Sequence, residues 1–445
     1  MVDWSKLPDI LAVGLLTSAF ASVSRRGQPV YSSLWLFGWV MIMLHFGAYA
    51  FLLAPSPWSD IANYVGTAAL AWAGMLFTWA SVPYRTQKSS LWIFLALITA
   101  SAIYIGLLTF GPFSFWTLAP AAALFGVLPL VISLVFLPKF NHPLRWTNIA
   151  IYGALSIFLL VFQLRPGDGT ALALNAVLFT VYLSCAIHCW YANQRATAGA
   201  FITIAGFFAW ASVFVVGPFT VTVFPNLHIE NEVWNLPKYV VAVGMILLLL
   251  EDQIEHNKYL ALHDELTGLP NRRLFLDRLA STIERSRRSG SQAALLLIDL
   301  DEFKQVNDSV GHHVGDELLK RVGSLFLGRV RRSDTVARTG GDEFSVILEE
   351  PMSRADAVRL GRTLSQLLDN PFEVNGHTVH VGASVGIAIF PDDANDAEAL
   401  RIAADLRMYA SKQESKTKNQ ISPKRPFRPG SVQPSGARSG LQLAE

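Results

Sequence analysis

Through the first 250 positions, apolar residues come in blocks separated by short polar stretches. A block of roughly 17–25 such residues, wound as a helix, matches the thickness of a bilayer's hydrocarbon core. Blocks of this kind stand at 8–24, 31–54, 61–83, 90–110, 115–138, 146–164, 171–192, 199–224 and 237–253, which predicts nine spans. After position 250 the pattern changes. Glu251 to Leu262 can continue as a helix in water, with Leu250, Ile254 and Ala261 toward one side. That stripe makes a stalk, too short to specify a coiled coil alone but able to pair two copies once tethered in a membrane.

The stretch TGLPN then stops the helix, because Gly268 and Pro270 are poor helix residues. Beyond it two periods alternate. RRLFLDRLASTIERSRRS reads as an amphipathic helix and AALLLIDLD as a buried strand ending in acids; GDELLKRVGSLFLGRV reads as a second helix. There follow a hairpin, TVART-GG-DEFSVILEE, a helix over SRADAVRLGRTLSQLLDN, one strand over HTVHVGASVGIAIF and a last helix over DAEALRIAADLRMYASK. An α+β domain with a mainly antiparallel sheet backed by helices is expected. From Asn419 the chain is rich in Pro, Ser, Gly and Arg without apolar period, so it reads as disordered. The expected organisation is a membrane domain over 1–250, a stalk over 251–262, the α+β domain over 263–418 and a tail over 419–445.

Composition sharpens this division. Of 445 residues 52% are hydrophobic and only 16% charged, which implies lipid as the surrounding medium. Of the 36 Lys and Arg and 34 Asp and Glu residues, 16 lie in positions 1–250 and 54 after them. Alternate connections between spans carry Arg25 and Arg26, Arg85 and Lys88, Lys139 and Arg145, then Arg195; the others, with the N-terminus, hold Lys6, Arg165 and Lys238 among several acids. This bias predicts an outside N-terminus and an inside C-terminal half, hence a multi-pass membrane protein with its α+β domain on the cytoplasmic side. The scarcity of charge within the spans argues against a proton or ion relay. His45, and His188 with Cys185 and Cys189 on one helical face, suggest a haem or copper sensor, but no second ligand set accompanies them and packing between helices is the simpler reading. Trp4, Trp58, Trp116 and Trp146 near span ends read as interfacial anchors. No basic start typical of a cleaved signal precedes the first span. A net charge of +2 does not point to nucleic acid, and two cysteines in one apolar run suggest no disulfide framework.

The chemistry concentrates in RTGGDEFSVIL, Arg338 to Leu348. A Gly340-Gly341 step lacks Cβ atoms and can take positive φ, so it suits a hairpin tip that another molecule approaches closely. Asp342 and Glu343 beside it repel each other unless a cation offsets their charge, and a hard divalent metal is the natural candidate. Asp299 ends the neighbouring strand. These carboxylates can clamp magnesium against nucleotide phosphates, with Lys412 and Lys416, about one turn apart, as further counter-charge.

With these motifs in place, residues 258–419 resemble a GGDEF domain, the catalytic domain of diguanylate cyclases. The resemblance rests on HDELTGLPNRR (263–273), IDLDEFKQVNDSVGHHVGDELL (298–319), RRSDTVARTGGDEF (331–344), VGASVGIAIFP (381–391) and AADLRMYASKQESK (403–416). It implies a βαββαβ core similar to class III nucleotidyl cyclases. It also implies condensation of two GTP into cyclic di-GMP with release of two pyrophosphates, by a homodimer that places two half-sites face to face. By the same resemblance, Asp299, the carbonyl of Leu300, Asp342 and Glu343 correspond to the metal site for magnesium, with manganese as the alternative, and Asp342 to the base at the ribose 3′-hydroxyl. Phe303 and Lys304 correspond to phosphate contacts, Asn307 and Asp316 to guanine contacts, and Lys412 and Lys416 to the basic pair. Arg331 and Asp334 match the RxxD product-inhibition site. Asp264 and Arg338 match a pair best read as a structural salt bridge.

Three positions depart from the family pattern. Ser415 stands where Gly is usual, Thr417 where Asn is frequent, and Arg407 where a small residue is common, which bears on the placement of the last helix. The triplet Glu398-Ala399-Leu400 carries no message, since too few residues follow for a phosphodiesterase barrel. Two other readings compete: a degenerate GGDEF module that only senses GTP or cyclic di-GMP, and a receptor or transporter whose function lies in the first 250 residues. The intact Asp299, Asp342, Glu343 and Lys412 disfavour the first.

Overall fold

The computed structural model describes residues 3–24, 29–81, 88–110, 115–135, 143–162, 169–193, 196–227, 229–349 and 353–421. Apolar blocks become helices because in hydrocarbon every backbone N–H and C=O must be satisfied within the segment. The first unit, Met1–Glu255, holds α1 (Leu7–Ser24), α2 (Pro29–Tyr49), α3 (Trp58–Ala80), α4 (Lys88–Phe110), α5 (Phe115–Val135), α6 (Leu144–Phe162), α7 (Gly169–Ala192) and α8 (Ala198–Val223). With α9 (Asn231–Leu262), which runs past the unit's end, each expected block falls on one helix. Among the described residues seven helices are long and apolar enough to cross a membrane, and the apolar stretch Ser33–Tyr49 is shorter. The last span, expected over 237–253, belongs to a single helix of 32 residues that contains Pro237 and includes the expected stalk.

The interior of this unit is aromatic. Trp210 stacks on Tyr182 with ring centroids 4.0 Å apart, and Phe207 links that pair to Phe77 and Trp39. Both histidines are buried: His45 donates from Nδ1 to the Gly66 carbonyl at 2.9 Å, and His188 from Nδ1 to the Ser184 carbonyl at 2.8 Å. Cys185 donates to the Gly74 carbonyl at 3.2 Å. Lys238 corrects an expectation. It was assigned to a polar connection, yet it lies in α9 only 7% exposed. Its ammonium is held by Asn235 Oδ1 at 2.7 Å and sits 4.6 Å from the Phe46 ring. Asp9, on α1, accepts from Asn235 at 2.9 Å and from the Tyr239 hydroxyl at 2.7 Å. Mutual hydrogen bonding is what makes these buried polar groups tolerable.

The second unit, His256–Glu445, is built on a sheet. Its elements are α10 (Arg272–Ser289), β1 (Ala293–Asp301), α11 (Phe303–Val310), α12 (His312–Leu327), β2 (Thr335–Arg338), β3 (Glu343–Leu348), α13 (Arg354–Gln366), β4 (Phe372–Val374), β5 (His377–Val379), β6 (Gly382–Phe390) and α14 (Ala397–Ile421). The strand order is β2-β3-β1-β6 and every neighbouring pair is antiparallel, so the sheet is fully antiparallel. Side chains of β1 alternate between faces. Leu296, Ile298 and Leu300 enter one core with Leu318, Val322, Phe326 and Leu364, while Ala293 and Leu295 enter another with Leu279, Ile283, Leu400 and Ala404. Helices therefore cover both faces of the sheet.

Two local expectations change. The stretch 377–390 is not one strand: β5 pairs with β4 in a separate hairpin, and only β6 joins the main sheet. Asn375 and Gly376, both with positive φ (50° and 81°), turn that hairpin. An Asn-Gly pair is a strong two-residue hairpin signal, and it was legible in EVNGHT. The segment after β1 also forms its own helix, α11, entered through Glu302 with φ 61°.

Candidate active site

The site gathers where β1 ends. Because side chains alternate along a strand, Asp299 and Asp301 project on the same face as Leu295, toward α14, while Leu300 stays in the opposite core and offers only backbone atoms. In the β1–β3 register Asp299 stands opposite Glu343, and Leu300 N donates to the Asp342 carbonyl at 3.1 Å. The strand end and the glycine hairpin thus lie side by side. Lys412 crosses from α14 and places Nζ 2.5 Å from Asp299 Oδ1. Burial works against its ammonium, but the hydrogen bond and charge of Asp299, followed by the charges of Asp342 and Asp301, outweigh it and raise the Lys412 pKa. Three carboxylates therefore act on one cation. Burial, with the nearby charge of Asp299, raises the Asp301 carboxyl above its ordinary value, despite the hydrogen bond it accepts from Ser384 Oγ at 2.8 Å.

The hairpin tip differs from its expected form. Neither Gly340 nor Gly341 takes positive φ. At Gly340 a Cβ would stand 2.6 Å from Glu343 Oε2, so the Glu343 carboxylate would have to shift, whereas one on Gly341 would meet nothing within 4 Å. The Gly341 side of the tip is open to an approaching molecule. From behind, Arg338 braces the tip. It donates from Nη2 to the Gly341 carbonyl at 2.7 Å and from Nη1 to Asp264 Oδ1 at 3.0 Å. Burial would raise the Asp264 pKa, but hydrogen bonds from Thr267 and Arg338 outweigh it and hold the carboxyl below its usual value. The pair thus joins the segment following α9 to the hairpin.

The remaining sequence candidates fall in two places. Phe303 and Lys304 open α11 directly after β1, at the helix start where N–H groups have no intrahelical partner. Asn307 on α11 lies over Gly315 of α12, where a Cβ would meet its Oδ1 at 2.0 Å, and Asp316 follows directly, exposed. Arg331 and Asp334 stand before β2, away from this cluster in their contacts. Asp334 accepts from Arg331 N at 2.9 Å and from Glu349 N at 3.2 Å, so its carboxylate caps the turn and does not pair with the Arg331 guanidinium. A cleft of about 420 Å³ adjoins it, lined by Arg278, Arg285, Arg332, Ser333, Asp334 and Glu349. The Lys416 side chain and the tail from position 422 lie outside the described residues. Asp301 was not among the candidates, although strict alternation from Asp299 marks it.

Residues 261–418 match the family described as "Diguanylate cyclase, GGDEF domain". They are a GGDEF domain. The bifunctional diguanylate cyclase/cyclic di-GMP phosphodiesterase MucR of Pseudomonas aeruginosa is 40% identical over 192 residues, covering 40% of this chain and 28% of MucR. Diguanylate cyclase TpbB of the same organism is 37% identical over 173 residues, covering 39% of this chain and 40% of TpbB. The match thus spans less than half the length of either relative. The solved GGDEF domain of TpbB, 39% identical, covers 33% of this chain and 92% of that structure with a TM-score of 0.33.

Among the described residues no three His, Cys, Asp or Glu side chains form a metal cage. A hard divalent cation can be held by one or two carboxylates, with backbone, water and phosphate oxygens making up the rest. The Leu300–Asp342 backbone bond brings Asp299, Leu300 and Asp342 to one end of the sheet.

Proposed function

We propose that this chain is a membrane-anchored diguanylate cyclase that condenses two GTP into cyclic di-GMP and two pyrophosphates. The observation that carries the reading is the meeting of β1, the glycine hairpin and Lys412 at one point, with Asp299 opposite Glu343 and Leu300 bonded to Asp342. Asp299, the Leu300 carbonyl and Asp342 would hold magnesium, with Glu343 alongside and manganese as the alternative ion. Bound there, the metal would stabilise charge on the α-phosphate and leaving group and acidify the 3′-hydroxyl.

The chain's own groups do the rest. The N–H groups of Phe303 and Lys304 bind phosphate at the start of α11. Lys412, held protonated by its acidic neighbours, keeps a fixed positive charge at the triphosphate. Asp316 accepts from N1–H and the 2-amino group of guanine, donors that adenine lacks there, and Asn307 completes the contact. Asp342 takes the proton from the 3′-hydroxyl. Since the product is a two-fold ring, two copies of the domain face each other, each hydroxyl attacking the other's α-phosphorus, with pairing set by the stalk and membrane helices.

The Arg331–Asp334 pair binds the product and restrains turnover. In support, Asp334 is fixed by two backbone N–H groups beside an arginine-lined cleft, a setting suited to an anionic dinucleotide. The membrane helices receive the stimulus, with the catalytic half in the bacterial cytoplasm, as the Lys and Arg bias supports.

The test is direct. Full-length protein in detergent, given GTP and magnesium, should release pyrophosphate and cyclic di-GMP, and the Asp342→Asn variant should not. Absence of product from the parent protein, with GTP still bound, would instead make it a sensing module.

A further inference from the structure

Arg407 is the position where this chain carries a long cation in place of a small residue, and its surroundings explain what it does. The guanidinium forks onto Asp393, with Nη1 donating to Oδ2 at 2.7 Å and Nη2 to Oδ1 at 2.8 Å; Nη1 also donates to the Ile387 carbonyl of β6 at 2.6 Å. Asp393 is anchored in turn. It accepts from Ile389 N at 2.8 Å and from Arg354 at 2.8 Å, and its side chain is only 10% exposed. A bidentate fork of this kind fixes both distance and angle, which a single ammonium contact does not.

The fork sits on a smooth seat. At Gly386 the backbone of α14 lies against β6 so closely that a Cβ would meet the Ala404 carbonyl at 2.0 Å and Met408 N at 2.4 Å. A strand glycine offers no side chain to index the helix lengthwise. Arg407 supplies that index, tying α14 to the same strand whose Ser384 pairs in register with Asp299 of β1. Lys412 follows five residues later, about 7.5 Å further along the helix axis. The same strand therefore sets both ends of the Lys412–Asp299 contact.

We infer that Arg407 and Asp393 are positioning residues for catalysis: their fork sets the axial register of α14 on β6 and so places the Lys412 ammonium at the triphosphate. This rests on the cyclase reading above. Full-length parent, Arg407→Ala, Arg407→Lys and Asp393→Asn proteins would be compared for kcat and KM with GTP, for equilibrium binding of a non-hydrolysable GTP analogue, and for thermal midpoint. In Arg407→Ala, kcat should fall about tenfold at 25 °C, with the protein fully folded, because misplacing a charge by a fraction of an ångström costs transition-state stabilisation before it costs fold. Arg407→Lys should fall between the two, and analogue binding should weaken severalfold. A lowered midpoint with unchanged kcat, KM and analogue affinity would reduce the fork to a structural brace and overturn the inference. Should the parent make no cyclic product, the cyclase reading fails by itself; analogue affinity then decides the fork, and equal affinity in parent and Arg407→Ala overturns it.

Discussion

Lys412 Nζ lies 2.5 Å from Asp299 Oδ1, a contact between residues 113 positions apart that joins the last helix to the central strand. Removing the ammonium while keeping a similar stem, as in Lys412→Met, should lower kcat/KM by about 100-fold, the scale of losing one pre-placed charge or donor at a developing anion. Far-ultraviolet circular dichroism should not change. Full activity in this variant would place the triphosphate elsewhere.

The two glycines of the hairpin should respond differently. A Cβ on Gly340 must push aside Glu343, whose Oε2 would be 2.6 Å away, whereas Gly341 has room for one. Gly340→Ala should therefore act on kcat through Glu343. Gly341→Ala should keep the thermal midpoint and raise KM for GTP by about tenfold, equivalent to about 1.4 kcal/mol, because the methyl takes space on the side the nucleotide approaches. Steady-state kinetics and a melting curve on each variant separate the cases.

Asp264 and Arg338 couple pH to stability. The Asp264 carboxyl titrates lower in the folded protein than in the unfolded chain, so the folded state favours its charged form. Its contribution is complete above the unfolded value of about 3.9 and disappears as pH falls through the lower folded value. Asp264→Asn should reduce the melting temperature at pH 7, and the gap to the parent should narrow as both are acidified below pH 4. A gap independent of pH would show that shape, not charge, holds the hairpin.

At the RxxD turn the two partners should separate cleanly. Arg331→Ala should abolish inhibition by added cyclic di-GMP and raise the final product yield, with the melting temperature unchanged. Asp334→Ala should relieve inhibition too, but it also strips a cap from the N–H groups of Arg331 and Glu349 and should cost about 1 kcal/mol of stability. Inhibition that persists in Arg331→Ala would move product binding off this turn.

Most of the α+β unit was legible because its elements follow unmixed periods. The expected helix over 272–289 and strand over 293–301 are α10 and β1 with the same ends. The strand expected over 377–390 is too long because no turn signal interrupts His377 to Phe390, and the break at His380–Val381 depends on which partner each half finds, which is a tertiary matter. The acidic pair was legible from charge against glycine. The reason for the glycines was not, since the conflict between a Gly340 Cβ and Glu343 exists only once the hairpin is closed. Lys238 differs for a related reason: a lone lysine at a span end looks like part of the polar connection until Asn235 and Phe46 converge on it, with Asp9 bonded to Asn235.

Asp299 and Asp301 owe their direction to the alternation of β1, so a slip of one residue against β3 would turn both into the layer occupied by Ile298 and Leu300. No shifted pairing keeps the acids on the face of Leu295 while Leu296 and Leu300 stay in the opposite core. The sheet consequently acts as its own proofreader: a molecule with the strand correctly threaded has its acids aimed, and one without it buries them. On heating, turnover measured directly after a temperature jump should decay along the same curve as the sheet's infrared amide signal, with no window of intact sheet and idle chemistry.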